Sequence, residues 1–261
     1  MKSIKVLITA PLKQDRRIFK EFQNALDRLE VPDGVSVDSF FVVNDCDKII
    51  PDIRGDYIVV NTGDEYIKTV NDHVWTNANL SKMPGLRNRT IKRMLDGGYD
   101  YWWSVDTDLI IHPKTLRVLL AADKDIVSEV FWTQAANGHW WCNAWMYDQA
   151  DAAGQLDTWR KPGLYQVGMT GACTLVKRRV FEAGVKYSAI PNIRRVLWGE
   201  DRWFCIRAAC AGFDFWLDTH FPAEHLFTEG LYQEYMRRRD KNAWHDTDAF
   251  AKSENRAADH R

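Results

Sequence analysis

The N-terminal part of the chain alternates between short apolar runs and a segment with helical periodicity. Residues 4–10 form an apolar run that stops at Pro11, which is typical of a first strand. Apolar side chains then recur at helical spacing between residues 17 and 29, and a second apolar run follows at residues 35–43. This strand–helix–strand order predicts a parallel sheet with a right-handed crossover.

The same alternation continues along most of the chain. Further strands are predicted at residues 57–61, 125–132, 169–177 and 213–217, and another begins at residue 101 and ends at Asp106 and Asp108. Further helices begin near residues 86, 113, 178 and 202. Residues 131–166 are rich in tryptophan and have no clear period, and residues 220–225 resemble a loop. The pattern as a whole predicts a single α/β domain.

The last part of the chain differs in composition from the rest. Residues 228–261 are strongly charged, with three consecutive arginines at positions 237–239 and a polar end. We therefore divide the chain into an α/β domain over residues 1–227 and a charged, exposed C-terminal helix and tail over residues 228–261.

Two carboxylates one residue apart, Asp106 and Asp108, follow the bulky apolar residues 101–105. In a strand or a tight turn such a pair can converge, and the two charges then repel each other unless a cation lies between them. Carboxylate oxygens suit Mg2+ or Mn2+. An acidic surface turn explains the pair alone equally well. The preceding helix and buried strand favour a binding site, because α/β sheets bind ligands beyond the carboxyl ends of their strands.

Other polar and aromatic groups each have an ordinary and a functional explanation. Glu200 and Asp201 precede a predicted helix, where acids stabilise the helix dipole by about 0.3–1 kcal/mol; the alternative is a general base on a rigid mount. Arg87 is either solvated or in contact with a diphosphate. His225 is either an ordinary histidine or a third metal ligand. The tryptophans of residues 131–166 form either a small core of their own or an acceptor-binding wall.

Bulk composition narrows the function classes. The formal net charge of −1 argues against a nucleic-acid partner held by bulk electrostatics. No apolar run approaches the roughly 18 residues that a membrane span needs. Five cysteines without CxxC spacing favour a reduced, cytoplasmic chain without a zinc site. Because the chain has no Gly-rich phosphate loop and no serine or cysteine nucleophile motif, dehydrogenases, NTPases and hydrolases are disfavoured.

The order of the motifs resembles a known family. The motifs are, after the β-α-β start, Arg87-Asn88, Asp106-Thr107-Asp108, Gly171-Ala172-Cys173, Gly199-Glu200-Asp201 and His225. This combination resembles the nucleotide-sugar glycosyltransferases of the GT-A fold and is similar to family 2 over roughly residues 4–226. The resemblance implies a Rossmann-like, mixed, mainly parallel sheet flanked by helices.

The resemblance also implies roles for individual residues. Asp106 and Asp108 match the DxD motif, which holds Mn2+ or Mg2+ and contacts the donor, and His225 matches a late metal ligand. Asp201 matches the catalytic base of inverting members. The implied donor-binding residues are Thr9, Ala10, Pro11, Asp45, Arg87 and Asp106. The residues that we place on the acceptor side are Trp132, Trp141 and Glu200, because tryptophan rings can stack on sugars.

The implied reaction is metal-dependent transfer of a sugar from a UDP-, GDP- or CDP-sugar to a hydroxyl of a glycan or other acceptor, with inversion. The loop at residues 12–16 and the end of the second strand at residues 44–47 depart from the family pattern, which leaves the nucleotide open. A retaining, Anp1-like mannosyltransferase and a non-catalytic sugar-binding protein on the same fold are the alternatives.

Overall fold

The structure, a computed structural model, describes residues 3–63, 77–134, 138–146, 153–193 and 199–239, and of residues 77–80 only the backbone. The strands are β1 Ile4–Leu12, β2 Val35–Asn44, β3 Asp56–Val60, β4 Tyr101–Ser104, β5 Leu109–Ile110, β6 Ile126–Gln134, β7 Trp140–Cys142, β8 Ala144–Trp145, β9 Leu164–Val167, β10 Met169–Thr170, β11 Thr174–Lys177 and β12 Phe215–His225. The α-helices are α1 Arg16–Asp27, α2 Asn77–Asp96, α3 Thr115–Ala121, α4 Leu156–Trp159, α5 Arg178–Glu182, α6 Glu200–Cys210 and α7 Glu229–Arg239.

Within the described residues, ten strands form one sheet in the order β3-β2-β1-β4-β11-β6-β12-β5, with β7 paired to β6 and β9 paired to β12. Strands β3, β2, β1 and β4 are parallel, as are β6 and β12, whereas β11 runs antiparallel between β4 and β6. The predicted mixed sheet flanked by helices is confirmed. Because β1 to β4 run in the same direction, their carboxyl ends share one edge of the sheet.

Consecutive residues of β1 and β4 enter two different apolar clusters. Ile8 and Trp103 pack in one cluster with α1, whereas Leu7 and Trp102 pack in a second cluster with α2 and α6. All four side chains are at most 2% exposed. Since neighbouring strand residues point to opposite faces, the sheet is buried on both sides, which explains the nearly continuous apolar runs of these strands.

Two of the apolar runs differ in how well they predict strands. The strand that begins at Tyr101 ends before the acidic pair, as predicted: β4 stops at Ser104, and the chain turns where the N–H of Leu109 donates to the carbonyl of Asp106 at 3.0 Å, before β5. The run at residues 169–177 is divided into β10 and β11, and Cys173 between them has a positive φ of 63°. The apolar pattern spans this turn, so the prediction of one continuous strand over residues 169–177 was wrong.

Residues 220–225 belong to β12 and not to a loop, so that prediction was also wrong. β12 pairs with β6 through Asp218 and again at Ala223, with a shift of register between them. Pro222 lies in this irregular part, where its missing N–H is tolerated. The bulge interrupts the period that would otherwise identify a strand.

The C-terminal helix α7 packs on the domain and is not the exposed helix that the charge pattern predicted. Tyr235 is fully buried in the α1 cluster and Tyr232 is 7% exposed. Arg239 is paired with Glu21 of α1 at 2.6 Å. Two buried tyrosines among charged residues form too weak an apolar pattern to predict that this helix packs on the domain. The predicted tail beyond residue 239 lies outside the described residues, and the division at residue 228 stays a prediction.

All five cysteines are free, and Cys210 alone among them is exposed. Within the part of the chain that the structure describes, no helix has the length and apolar character needed to cross a bilayer. The cytoplasmic location stays a prediction.

Two buried carboxyl groups face each other in the sheet. Glu129 of β6 is directly opposite Asp218 of β12, and the two residues are 0% and 3% exposed. Asp218 accepts hydrogen bonds from the backbone N–H of His220 at 3.0 Å and interacts with its Nδ1 at 2.9 Å. Burial, and then the nearby Asp218, raise the pKa of Glu129 well above its ordinary value. The neutral form of Glu129 is therefore favoured.

We expect Glu129→Gln to become more stable than the wild type as the pH rises. The pKa of Glu129 in the folded state lies above its value near 4.5 in the unfolded chain. Above pH 4.5 the unfolded chain therefore releases this proton more readily than the folded protein, and the wild type loses stability as the pH rises. The amide cannot ionise, so the difference in unfolding free energy should grow by up to about 1.4 kcal/mol per pH unit. Urea unfolding between pH 5 and 8 measures it, with the exposed Glu234→Gln as control. A pH-independent difference would contradict this account.

Candidate active site

The acidic pair lies at the carboxyl edge of the sheet, in the turn between β4 and β5. The N–H of Val105 donates to the carbonyl of Thr9 at 3.0 Å, so the chain stays attached to β1 as it leaves β4. The side chain of Asp106 is 38% exposed, whereas that of Asp108 is 13% exposed. The sequence therefore placed the pair correctly at a strand end, although the two side chains have different surroundings.

Strand pairing brings His225 to Asp108. Leu109 is opposite His225 in the antiparallel pair of β5 and β12, and the N–H of Leu226 donates to the carbonyl of Asp108 at 2.8 Å. Nε2 of His225 lies 3.7 Å from Oδ2 of Asp108. Nδ1 of the same ring lies 2.9 Å from the hydroxyl of Thr133. The imidazole is thus oriented with Nε2 toward the carboxylate.

Asp108 and His225 are placed to hold a divalent cation together, and Asp106 stays a predicted ligand. A carboxylate and an imidazole are suitable donors, and the Thr133 hydroxyl would hold the ring as outer partners of metal-bound histidines do. Asp106 differs, because its Oδ1 accepts from Nη2 of Arg87 at 3.3 Å. In the described ranges no three His, Cys, Asp or Glu side chains are grouped as a metal site. The structure brings Asp108 and His225 together and joins Asp106 to Arg87.

Arg87 is the centre of a buried charge cluster. Its side chain is 3% exposed, and Nη1 donates to the hydroxyl of Ser104 at 2.7 Å. Besides Asp106, Arg87 lies near two carboxylates of α6: Nη2 is 3.7 Å from Oε1 of Glu200, and Nε is 3.9 Å from Oδ1 of Asp201. One guanidinium therefore serves three carboxylates.

Glu200 and Asp201 form the first turn of α6, which starts after Gly199 with φ 135°. Burial, and then the neighbouring Glu200, raise the pKa of Asp201 to about 7. Burial also raises the pKa of Glu200, and Arg87 opposes that shift. The side chain of Asp201 is 25% exposed, compared with 8% for Glu200. Asp201 is therefore accessible and can exchange a proton near neutral pH.

The predicted acceptor tryptophans lie in different surroundings. Trp132 is 5% exposed and has the guanidinium of Arg160 4.2 Å from its ring centre, whereas Trp141 is partly exposed on β7. Trp145 is one of the tryptophans of residues 131–166, but it was not among the chosen acceptor residues, and it lies beside the acidic helix start. A Cβ atom on Gly171 would be 3.4 Å from both Oδ2 of Asp201 and Cη2 of Trp145. The pairing of β8 with β10 brings this tryptophan near Asp201, and the tryptophan-rich sequence could not show which of its members would lie there.

Four of the six predicted donor residues lie at the ends of β1 and β2. Thr9 and Ala10 are fully buried in β1, and Pro11 is partly exposed. Asp45 follows β2 with φ 49°, and its carboxylate accepts from the N–H and hydroxyl of Thr62 at 2.9 and 2.7 Å. Asp45 thus fixes the segment that follows β3. Their contacts with a donor stay predictions.

The chain resembles known glycosyltransferases in sequence. A family model described as glycosyltransferase family 25, N-terminal domain, matches residues 54–217. Human procollagen galactosyltransferase 2 is 24% identical over 131 residues, which cover 49% of this chain and 21% of that protein. The match thus spans about a fifth of the length of this relative.

Solved structures resemble the chain in fold. One is the mannosyltransferase PcManGT from Pyrobaculum calidifontis, in complex with GDP-Man and Mn2+, with a TM-score of 0.53 at 13% identity. The match covers 91% of this chain and 61% of the PcManGT chain. S. aureus TarS has a TM-score of 0.50 at 13% identity, with coverages of 85% and 60%. At this identity the likeness shows the fold, and the predicted GT-A fold is confirmed.

We expect Gly168→Ala to destabilise the β8–β10 ribbon beside Asp201. Gly168 donates to the carbonyl of Trp145 at 2.9 Å, and a Cβ atom there would lie 1.2 Å from the carbonyl oxygen of Met146. The backbones would have to separate, at a cost of about 3 kcal/mol. Gly171→Ala, whose added atom would make ordinary contacts, is the control and should change stability by under about 1 kcal/mol. Equal urea midpoints of the two variants would contradict this prediction.

Proposed function

Because the chain belongs to glycosyltransferase family 25, we propose that it transfers a sugar from a nucleoside-diphosphate sugar to an acceptor hydroxyl, with inversion and with Asp201 as the general base. The observation that carries the proposal is the position of Asp201. Its carboxylate is partly exposed, has a pKa raised to about 7, and shares the Arg87 guanidinium with Asp106 of the acidic turn. A general base is most effective with a pKa near the working pH.

Asp201 would accept the proton of the acceptor hydroxyl as its oxygen attacks the anomeric carbon. Attack from the side opposite the departing diphosphate inverts that carbon. The rigid first turn of α6 would hold the carboxylate in place, since the helix is anchored in the core through Phe204 and Cys205. The proton and the bond changes then balance: the hydroxyl proton goes to Asp201, and the electron pair of the broken bond goes to the nucleoside diphosphate.

Asp108 and His225 would hold a divalent cation, Mn2+ or Mg2+. When bound, such an ion supplies positive charge for the diphosphate oxygens of the donor. Support comes from the suitability of the two donor groups, from the Thr133 contact that orients the ring, and from the Mn2+ in the PcManGT complex. Asp106 would contact the donor from the same turn.

The proposed donors are UDP-, GDP- and CDP-sugars, and the acceptor is a glycan or another molecule with a free hydroxyl. Thr9, Ala10, Pro11 and Asp45 remain our donor-side candidates. On the acceptor side, Trp141 and Glu200 remain candidates, and Trp145 joins them because it lies beside Asp201. Trp132 is less suitable as a stacking surface, since it is buried under Arg160.

The proposal is tested by binding and turnover of a nucleotide-sugar panel with Mn2+, with Mg2+ and with EDTA. One donor should bind in a metal-dependent manner, and Asp108→Asn and His225→Ala should abolish that dependence. NMR of the product decides between inversion and the retaining alternative. If no donor binds under any condition, the enzymatic proposal is wrong and the sugar-binding alternative gains support.

Asp201→Asn should bind the donor normally and lose about 10²–10⁴-fold in kcat, since the amide cannot accept a proton. Isothermal titration and a steady-state assay measure the two effects. The matched control is Asp96→Asn, an exposed carboxylate at the end of α2. Turnover of Asp201→Asn at the wild-type rate would exclude this residue as the base.

The pH profile of kcat/KM should show an acidic limb near pH 7. Below the raised pKa, Asp201 is protonated and inactive, so kcat/KM should fall about tenfold per pH unit. Donor binding followed over the same range separates loss of the base from loss of the complex. A profile that is flat from pH 5 to 8 would be inconsistent with Asp201 as the base.

A further inference from the structure

Arg87 lies where a contact with the donor diphosphate is difficult. The residue is 2% exposed, and its guanidinium is surrounded by the hydroxyl of Ser104 and the carboxylates of Asp106, Glu200 and Asp201. A diphosphate placed against Arg87 would have to replace anionic groups that already surround it. These surroundings favour a role other than the donor contact that the sequence resemblance implied.

We propose that Arg87 is a positioning residue, which holds the Asp106 turn and the Glu200–Asp201 helix start together so that Asp201 can act as the base. The inference rests on the proposed function, because it takes Asp201 to be that base. If Arg87 is a positioning residue, its replacement should lower turnover and leave donor affinity nearly unchanged.

Three separate parts of the chain meet at Arg87. Arg87 belongs to α2, Ser104 ends β4, Asp106 lies in the following turn, and Glu200 and Asp201 begin α6. More than 90 residues separate the two acidic motifs in sequence, and Arg87 bridges them with contacts of 3.3 to 3.9 Å. A planar guanidinium with five N–H donors can serve several acceptors in this way, whereas an ammonium group is a point charge.

A second set of contacts, through Tyr187, also surrounds Arg87. The ring of Tyr187 lies 5.6 Å from the guanidinium carbon and stacks on Phe204 of α6 at 4.8 Å. The side chain of Asn88 donates to the carbonyl of Tyr187 at 2.6 Å and accepts from its N–H at 3.0 Å. The consecutive Arg87 and Asn88 therefore act together: one gathers the carboxylates, and the other holds the aromatic ring that covers it.

Charge gives this arrangement a functional consequence. The charged and titratable groups that face Asp201 are Glu200, Arg87, Asp106, Arg202, Tyr187 and Cys205. Among these, Glu200 raises the pKa of Asp201 and Arg87 lowers it. Removal of the guanidinium would leave three neighbouring carboxylates with less compensation. Asp201 would then hold its proton to a higher pH and would be a poorer base in the neutral range.

The test compares Arg87→Met and Arg87→Lys with Arg89→Met, which alters an exposed arginine two residues along the same helix. With a donor that the wild type uses, Arg87→Met should lose about 10²-fold in kcat, while the Kd of that donor changes by under about threefold. The acidic limb of kcat/KM should move to higher pH by at least about one unit. Arg87→Lys should leave the pH of the acidic limb nearly unchanged, because lysine keeps the positive charge. It should still lose about tenfold in kcat, because lysine lacks the planar guanidinium that contacts several carboxylates. Arg89→Met should match the wild type.

Glu200→Gln provides a second measurement if Arg87→Met does not fold. This near-isosteric change removes the charge that raises the pKa of Asp201, so the acidic limb should move to lower pH, opposite to the shift for Arg87→Met. An unchanged limb in Glu200→Gln would overturn the inference.

The failure of this inference can be distinguished from failure of the proposed function. If the wild type is active but the Arg87 variants lose donor affinity tenfold or more with an unshifted limb, Arg87 contacts the donor and only this inference is overturned. If the wild type turns over no donor, the proposed function is overturned and the inference with it.

Discussion

The central position of β4 is the constraint on which the arrangement of the site depends. This strand pairs with β1 in parallel and with β11 in antiparallel orientation, and Trp102 and Trp103 fill the apolar layers on its two faces. Such a strand cannot shift its register without moving a tryptophan out of each layer. The turn that follows it therefore has a fixed origin, from which Asp106 meets Arg87 and Asp108 meets His225.

The sequence predicted the parts of the fold that are determined locally. The apolar runs of β1, β2 and β4 identified the parallel half of the sheet and placed Asp106 and Asp108 at its carboxyl edge. The contacts of His225 and Trp145 depend on strand pairings across the chain, and a bulge hid the strand that contains His225. The enclosure of Arg87 also depends on helices far apart in sequence, which no local pattern records. The sequence resemblance was to family 2, whereas the matching family model is family 25.

Two acidic pairs in the part of the protein that the structure describes show how one nearby cation changes the protonation of a carboxyl group. Glu129 and Asp218 face each other in the sheet, and burial favours a neutral Glu129. Glu200 and Asp201 are also crowded, but they share Arg87, which opposes the upward shift of the pKa of both groups. A carboxyl group like Glu129 is suited to a stable interior, whereas one held near neutrality is suited to proton transfer.

The location of Asp201 at the start of α6 adds a second opposing effect. The N-terminus of a helix carries a partial positive charge that favours an ionised carboxylate, whereas burial and the adjacent Glu200 favour the protonated form. The pKa of about 7 reflects burial and Glu200, which raise it, and Arg87, which lowers it. The base thus depends on the sheet, on α2 and on α6 together. For this reason the Asp-containing motifs alone, which are short and common, do not define the chemistry, and the buried arginine that joins them is part of the same functional unit.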